Sequence, residues 1–223
     1  MKPYLITFIL FTNINTALAC IDPALSDSEQ IAPCLILAKQ GQADSQFELG
    51  KRYEQGLGVP ANSTAAEAWY LKAAESGHVS AQYALALMYD STPVVAEQAV
   101  EPKFNPVASL SSFNAGGAGT NLGTTFDLCL DIGEGPIKAI KWYRQAAQQG
   151  HTDAQFKLGQ VYEQGRGVPQ DDMLAYMWFD IASRQGRKET ENIKMKTATR
   201  LSPELRQEAE NLAEEWLLDN HKQ

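Results

Sequence analysis

Two stretches of this chain, Gly41–Gly77 and Gly150–Gly186, carry the same kinds of residue at the same positions across a period of 36. In the second stretch Ala154, Leu158 and Tyr162 recur every four residues, which puts them on one face of a helix. Gly165-Arg166-Gly167-Val168-Pro169 comes next. Glycines there supply the positive φ that ends a helix, and proline bars its continuation. Asp171 or Asp172 then caps a second helix, in which Ala175, Trp178 and Ala182 share a face. The first stretch repeats the marks, with Phe47, Leu49, Gly50, Tyr53, Gly56, Gly58, Val59, Pro60, Ala66, Trp69, Tyr70 and Ala73 at matching offsets. Gly159 lies inside the first helix, where it costs about 1 kcal/mol relative to alanine. Close approach of the two helix backbones, with no side chain between them, is the expected compensation. A helical hairpin of this length cannot bury its apolar faces alone and must stack on copies of itself. The expected fold is all-α, an α-solenoid of stacked antiparallel helix pairs.

These residues resemble the Sel-one-like repeat family, relatives of the tetratricopeptide repeats, whose pattern runs roughly A-x3-L-G-x2-Y-x2-G-x-G-V-x-x-D-x3-A-x2-W-Y-x2-A-A-x2-G. The resemblance implies a right-handed superhelix. It implies a fold rather than an activity.

Between the two clear repeats the register continues with wear. Gly77 opens a unit in which Ala81, Tyr83, Leu85 and Tyr89 occupy first-helix positions, but Pro93, Pro102 and Pro106 break its second half. Ala118, Leu122, Gly123 and Phe126 stand at the offsets of Ala154, Leu158, Gly159 and Tyr162, and Ala118 precedes Trp142 by the 24 residues that separate Ala154 from Trp178. The register therefore divides 41–186 into four repeats: 41–76, 77–113 (degenerate), 114–149 (partly degenerate, its second helix Ile137–Gln149 intact) and 150–186. A competing reading makes Asp90–Pro136 an insertion in which Phe126, Leu128, Leu130 and Ile132 alternate as in a strand. On either reading Asp90–Pro136 is expected to be the least rigid part of the chain.

Residues 20–40 read as an N-terminal cap, with a helix starting at Ser26 or Asp27 and Cys34-Leu35-Ile36-Leu37-Ala38 as its buried end. Residues 187–223 read as C-terminal capping helices. The last begins with Ser202 as N-cap and Pro203 in the first turn, and Leu205, Ala209, Leu212, Ala213, Trp216 and Leu217 form its apolar face.

Residues 1–19 have the pattern of a secretory signal peptide. Lys2 is followed by the apolar run Tyr4–Phe11, too short to span a bilayer, and by the cleavage pattern Ala17-Leu18-Ala19. Cleavage there would leave Cys20 first. The expectation is export, to a periplasm or the medium. A lipoprotein anchored through Cys20 is the alternative, with Ala17 where a lipobox has Leu, Val or Ile. Export favours a disulfide. Of three cysteines, Cys20 and Cys34 pair by the shorter loop, or Cys34 and Cys129 if Cys20 carries lipid.

A net charge of −8 argues against nucleic acid and anionic membrane surfaces as partners. His78 and His151 share one repeat position and read as structural, and with His221 in the tail the three make no metal site. Gly116–Gly123 lacks the lysine of a phosphate-binding loop. Asn62-Ser63-Thr64 is formally a glycosylation sequon and reads as a turn and helix start. Trp69-Tyr70, Trp142-Tyr143 and Trp178-Phe179 read as core. No catalytic, cofactor-binding or metal residue is assigned, which leaves the surface. In this architecture the first helices line a concave face, and Glu48, Lys51, Arg52, Gln82, Met88, Lys157, Gln160 and Glu163 are the candidate protein-binding residues on it. The resemblance implies a non-catalytic adaptor for other proteins of the cell envelope or surface, with membrane contact only if Cys20 is lipidated. A second reading, a cell-wall or β-lactam-related ligand binder or hydrolase, comes from cysteine-rich members of the same family. Those members carry a cysteine pair in each repeat, and Gly41–Gly77 and Gly150–Gly186 contain none.

Overall fold

The computed structural model describes Cys20, residues 25–91 and residues 134–220. Among the described residues the α-helices are α1 (Asp27–Lys39), α2 (Ala43–Gln55), α3 (Ser63–Glu75), α4 (Val79–Asp90), α5 (Glu134–Gln148), α6 (Thr152–Gln164), α7 (Asp172–Arg184), α8 (Thr190–Ala198) and α9 (Pro203–Asn220). The fold is an all-α solenoid of antiparallel helix pairs. It divides into two compact units, one ending at His78 and one beginning at Val79. Residues 1–19, Cys129, the glycine-rich Gly116–Gly123 and His221 lie outside the described residues.

In the first unit α2 and α3 form the pair. Gly56, at φ +73°, ends α2 in the left-handed conformation. Asn62 starts α3 by accepting the Ala65 N–H at 3.0 Å. The two helices close on a ring: a Cβ at Gly50 would lie 2.6 Å from the ring of Tyr70. The Tyr70 hydroxyl donates to Glu54 at 2.8 Å. Burial, reinforced by the Glu54 carboxylate, pushes that phenol far above its ordinary pKa.

Helix α1 lies on α2. Its Ser26 N–H donates to the Glu29 carboxylate at 2.9 Å, one half of a capping box. Gln30, Cys34 and Ala38 are its buried residues. Within Cys34–Ala38 only the two ends are fully buried, and Ile36 is 58% exposed, because two residues along a helix turn a side chain about 200° from Cys34. Gly58, at φ +74°, passes so near the start of α1 that a Cβ would meet the Asp27 carbonyl oxygen at 2.3 Å.

In the second unit α6 and α7 repeat the pattern. Gly165 ends α6 at φ +67°, and Asp171 starts α7 by accepting the Leu174 N–H at 2.9 Å. Gly159 faces the fully buried ring of Phe179, 2.4 Å from where its Cβ would be. The sequence suggested two backbones meeting with no side chain between them. A ring fills that gap instead.

Helices α4 and α5 form the remaining pair. Asp90 follows Gly77 by the 13 positions that separate Glu54 from Gly41, and Tyr143 follows Trp142 as Tyr70 follows Trp69. The Tyr143 hydroxyl donates to Asp90 at 3.3 Å, the counterpart of the Tyr70–Glu54 bond. Thus α5 completes the pair that α4 begins. The four-repeat register placed these helices in two different repeats. The second helix of one and the first helix of the other would fall in 92–133, outside the described residues.

One aromatic device recurs inside both units. The aromatic six positions into each repeat is covered by the residue after the next opening glycine. His78 stacks on Phe47 at 4.6 Å, His151 on Tyr83 at 4.4 Å, and the Arg187 guanidinium lies 4.1 Å from the Phe156 centroid. A buried glutamine adds a second fastening. Gln46 donates to the Ala38 carbonyl at 3.0 Å and Gln155 to the Ala147 carbonyl at 3.2 Å, each satisfying a C-terminal helix acceptor. Helices α8 and α9 pack on α7, with Trp178 edge-on to Trp216 at 5.7 Å. Ser202 caps α9 through the Leu205 N–H at 3.3 Å. Ala209, Ala213 and Trp216 are buried on α9, whereas Leu205 is exposed rather than part of its apolar face.

The three fastenings differ in charge. Asp44 lies 3.3 Å from His78, and Asp153 pairs with Arg187. At the corresponding position three residues before Tyr83 stands the uncharged Ser80. Burial holds His151 below the usual imidazole pKa, and its Nδ1 accepts the Ala154 N–H at 3.3 Å, so the neutral ring caps α6. The unfolded chain then binds a proton at higher pH than the folded one. This contribution to stability is complete above about pH 6.5 and falls as the pH drops through that value toward the depressed folded pKa. Ser80→Asp is expected to supply the missing carboxylate, raise the His151 pKa and flatten the acid loss. Imidazole titration by NMR and urea unfolding on either side of that pH check this. An unshifted titration in the variant would show that position 80 does not face His151.

Candidate protein-interaction surface

The eight candidate residues fall into two groups by unit. In the first unit Glu48, Lys51 and Arg52 sit on α2. Lys51 pairs with Glu48 at 3.0 Å and is the most exposed of the three, at 39%. Arg52 does not belong to a surface. Its side chain is 4% exposed, and its guanidinium donates to the Cys20 carbonyl at 3.2 Å, to Gln30 Oε1 at 2.5 Å and to the Asp27 carbonyl at 3.3 Å. Its Nε stands 3.4 Å from Glu48, at ion-pair distance without hydrogen-bond geometry. Arg52 thus ties Cys20 and the first turn of α1 to α2. Beside it Cys20 and Cys34 form a disulfide with Cα atoms 4.6 Å apart.

In the second unit Gln82 is also withdrawn from the surface. It is 3% exposed and accepts from Gln149 at 2.8 Å. Gln46, Gln82 and Gln155 hold the same offset from Gly41, Gly77 and Gly150. That recurrence is the sequence signal that marks Gln82 as a repeat-fastening residue. Met88 on α4 and Lys157, Gln160 and Glu163 on α6 are half-buried. Glu163 is bound by Arg200, which also reaches Asp172 at 2.7 Å. Arg166, in the turn between α6 and α7, pairs with Asp90 at 3.1 Å. These arginine clamps brace the turns, and no periodic signal in the sequence announced them.

Surface chemistry on α2 and α6 is therefore mixed: Lys51 and Lys157 with amide and carboxylate neighbours, beside partly exposed apolar groups. Each of these helices by itself offers hydrogen bonds and charge to a polypeptide. Among the described residues no three His, Cys, Asp or Glu side chains cluster to hold a metal ion, and no helix is long and apolar enough to cross a membrane.

Antiparallel helix pairs, each following a glycine, with a ring buried between the helices and the sixth-position aromatic covered by histidine or arginine, define a short-repeat α-solenoid. A family model described as the Sel1 repeat matches residues 43–78, 79–101, 129–151 and 152–186. The chain belongs to the Sel1 repeat family. It is 29% identical to chitin synthase regulatory factor 3 of Schizosaccharomyces pombe over 67% of this chain and 12% of that protein. It is 25% identical to the alginate biosynthesis protein AlgK of Azotobacter vinelandii over 85% of this chain and 33% of that protein. Among solved structures, the Sel1 repeat protein from Oxalobacter formigenes superimposes with a TM-score of 0.55 at 26% identity, covering 80% of this chain and 57% of that one. The chain thus spans a third or less of these two curated relatives.

Proposed function

We propose that this protein is an exported, non-catalytic adaptor that binds other proteins of the cell envelope or surface. The observation that carries the reading is how the polar side chains are used. Gln46, Gln82, Gln155, His78, His151 and Arg52 are all consumed in fastening helices together, and α2 and α6 each leave mixed polar groups to solvent. Repeats of this family generally serve protein–protein interaction. The named relatives regulate a chitin synthase or take part in alginate biosynthesis, so a protein of a polysaccharide-building assembly is a fitting partner. The signal-like residues 1–19 support export. So does the Cys20–Cys34 disulfide, which suits an oxidising compartment and occupies the thiol a lipid anchor would need.

The test is an affinity pull-down of the tagged protein from an envelope extract, with Lys51→Glu, Lys157→Glu and Gln160→Ala combined in a parallel bait. A specific protein retained by the native bait and reduced roughly tenfold by the variant is expected, two reversed charges at an interface being of that order. Retention of nothing, or equal retention by both baits, would remove the surface. Mass spectrometry of the N-terminus after cell fractionation checks export: a cytoplasmic chain retaining residues 1–19 would overturn it.

A further inference from the structure

The first and last described helices both leave apolar groups to solvent, Ile36 on α1 and Leu205 and Leu218 on α9. Helix α9 exposes Glu204, Glu208, Glu214, Glu215 and Asp219, the polar outer face a terminal element needs to stay soluble. On α1 the exposed residues form a shorter pattern of charged ends around an apolar centre. With Cys34 buried against α2, the helical period sets Glu29, Ala32, Ile36 and Lys39 on the opposite side. Ile36 is 58% exposed, with Leu25 and Leu57 exposed to 37% in the same unit. Two charges bracket an apolar centre, acid toward the N-terminus and base toward the C-terminus.

We propose that this face of α1 binds the same face of a second copy, the two helices antiparallel about a two-fold axis passing near Cys34. The pattern is self-complementary under that operation, as an isologous contact requires. Ile36 of each copy falls over Ala32 of the other, large on small, and Lys39 falls opposite Glu29. A parallel arrangement would set isoleucine on isoleucine and lysine on lysine. Both capping bonds of Glu29 use Oε2, so pairing does not compete with the cap. One 13-residue helix per copy buries less than a standard interface, so the dimer is weak, with a Kd on the order of tens of micromolar.

Sedimentation velocity of the full chain across a hundred-fold concentration range tests this, with circular dichroism confirming that each variant is folded. The expected result is a reversible dimer. Ile36→Glu weakens it roughly a hundredfold by removing two apolar contacts and adding buried charge. Lys39→Glu weakens it roughly tenfold by setting two carboxylates together at both ends. Adding Glu29→Gln, which still accepts the cap bond, returns most of that loss. In a mixture of light and isotope-labelled protein, carbodiimide joins Glu29 to Lys39 between copies. Within one helix those residues stand about 15 Å apart along the axis, beyond a zero-length link. A chain monomeric at every concentration, or a dimer indifferent to both Ile36→Glu and Lys39→Glu, overturns the proposal. A dimer weakened by either but giving no Glu29–Lys39 link overturns the antiparallel register, and binding of a different protein at Ile36 by a monomeric chain overturns the choice of partner. Envelope pull-down and self-association read different faces, so either can fail without the other.

Discussion

Gly159→Val lowers the stability of the second unit by about 4 kcal/mol, enough to unfold most of a marginal domain at growth temperature. The first Cβ atom already lies 2.4 Å from Phe179 Cε1, and that ring is fully buried between α6 and α7. The ring has no solvent side to swing toward, so the helices must separate, and the loss then spreads to the packing of Ala175 and Ala182. Valine adds a β-branched side chain to a helix interior, which costs several tenths of a kcal/mol more. Gly159→Ala is milder, about 2 kcal/mol. Combining it with Phe179→Leu recovers part of the loss, because a smaller side chain vacates the space. Urea unfolding followed through the buried Trp178 and Trp216 measures all three. A valine variant within 1 kcal/mol of the native protein would mean that Phe179 is not fixed.

Arg52→Met removes about 3 kcal/mol from the first unit. The guanidinium is 4% exposed and satisfies the Cys20 carbonyl, the Asp27 carbonyl and Gln30 at once. Methionine fills much of the volume and offers none of the donors, so two buried acceptors and one part-buried acceptor lose their partner and Glu48 keeps only Lys51. Helix α1 stays covalently attached through the Cys20–Cys34 disulfide but loses its dock, so its amides exchange faster while those of α3 change little. Hydrogen exchange by mass spectrometry distinguishes this from a uniform loss. Arg52→Lys rescues poorly, because one ammonium cannot span acceptors arranged for a planar fork. Uniformly faster exchange across α1, α2 and α3 would assign Arg52 to the core of the unit rather than to the dock.

The helix pairs were legible because their marks recur: Gly56 and Gly165 end first helices, and Asn62 and Asp171 start second ones, at matched offsets. Candidate surface residues were less legible. Arg52 and Gln82 look like solvated polar residues, but both are buried. Gln82 was recoverable, since glutamine stands at that offset three times. Arg52 was not, since its partners Cys20, Asp27 and Gln30 lie 22 to 32 positions away in the cap, where no repeat predicts a contact. Ile36 misled for a different reason. The run Cys34–Ala38 is apolar throughout, so composition gave no way to tell its buried side from its open one. The pairing of α4 with α5 was not legible, because the tyrosine–carboxylate bond that joins the two helices is a long-range contact.

That bond has a further implication. Seven residues separate α2 from α3 and seven separate α6 from α7, whereas 43 separate α4 from α5, yet Tyr143 finds Asp90 as Tyr70 finds Glu54. Closing a chain six times longer costs only roughly 1.5 kcal/mol, because the entropy of closure grows with the logarithm of length. The pairing of α4 with α5 therefore bears a connection of that length at little cost, and the Tyr143–Asp90 bond marks where the two helices lock.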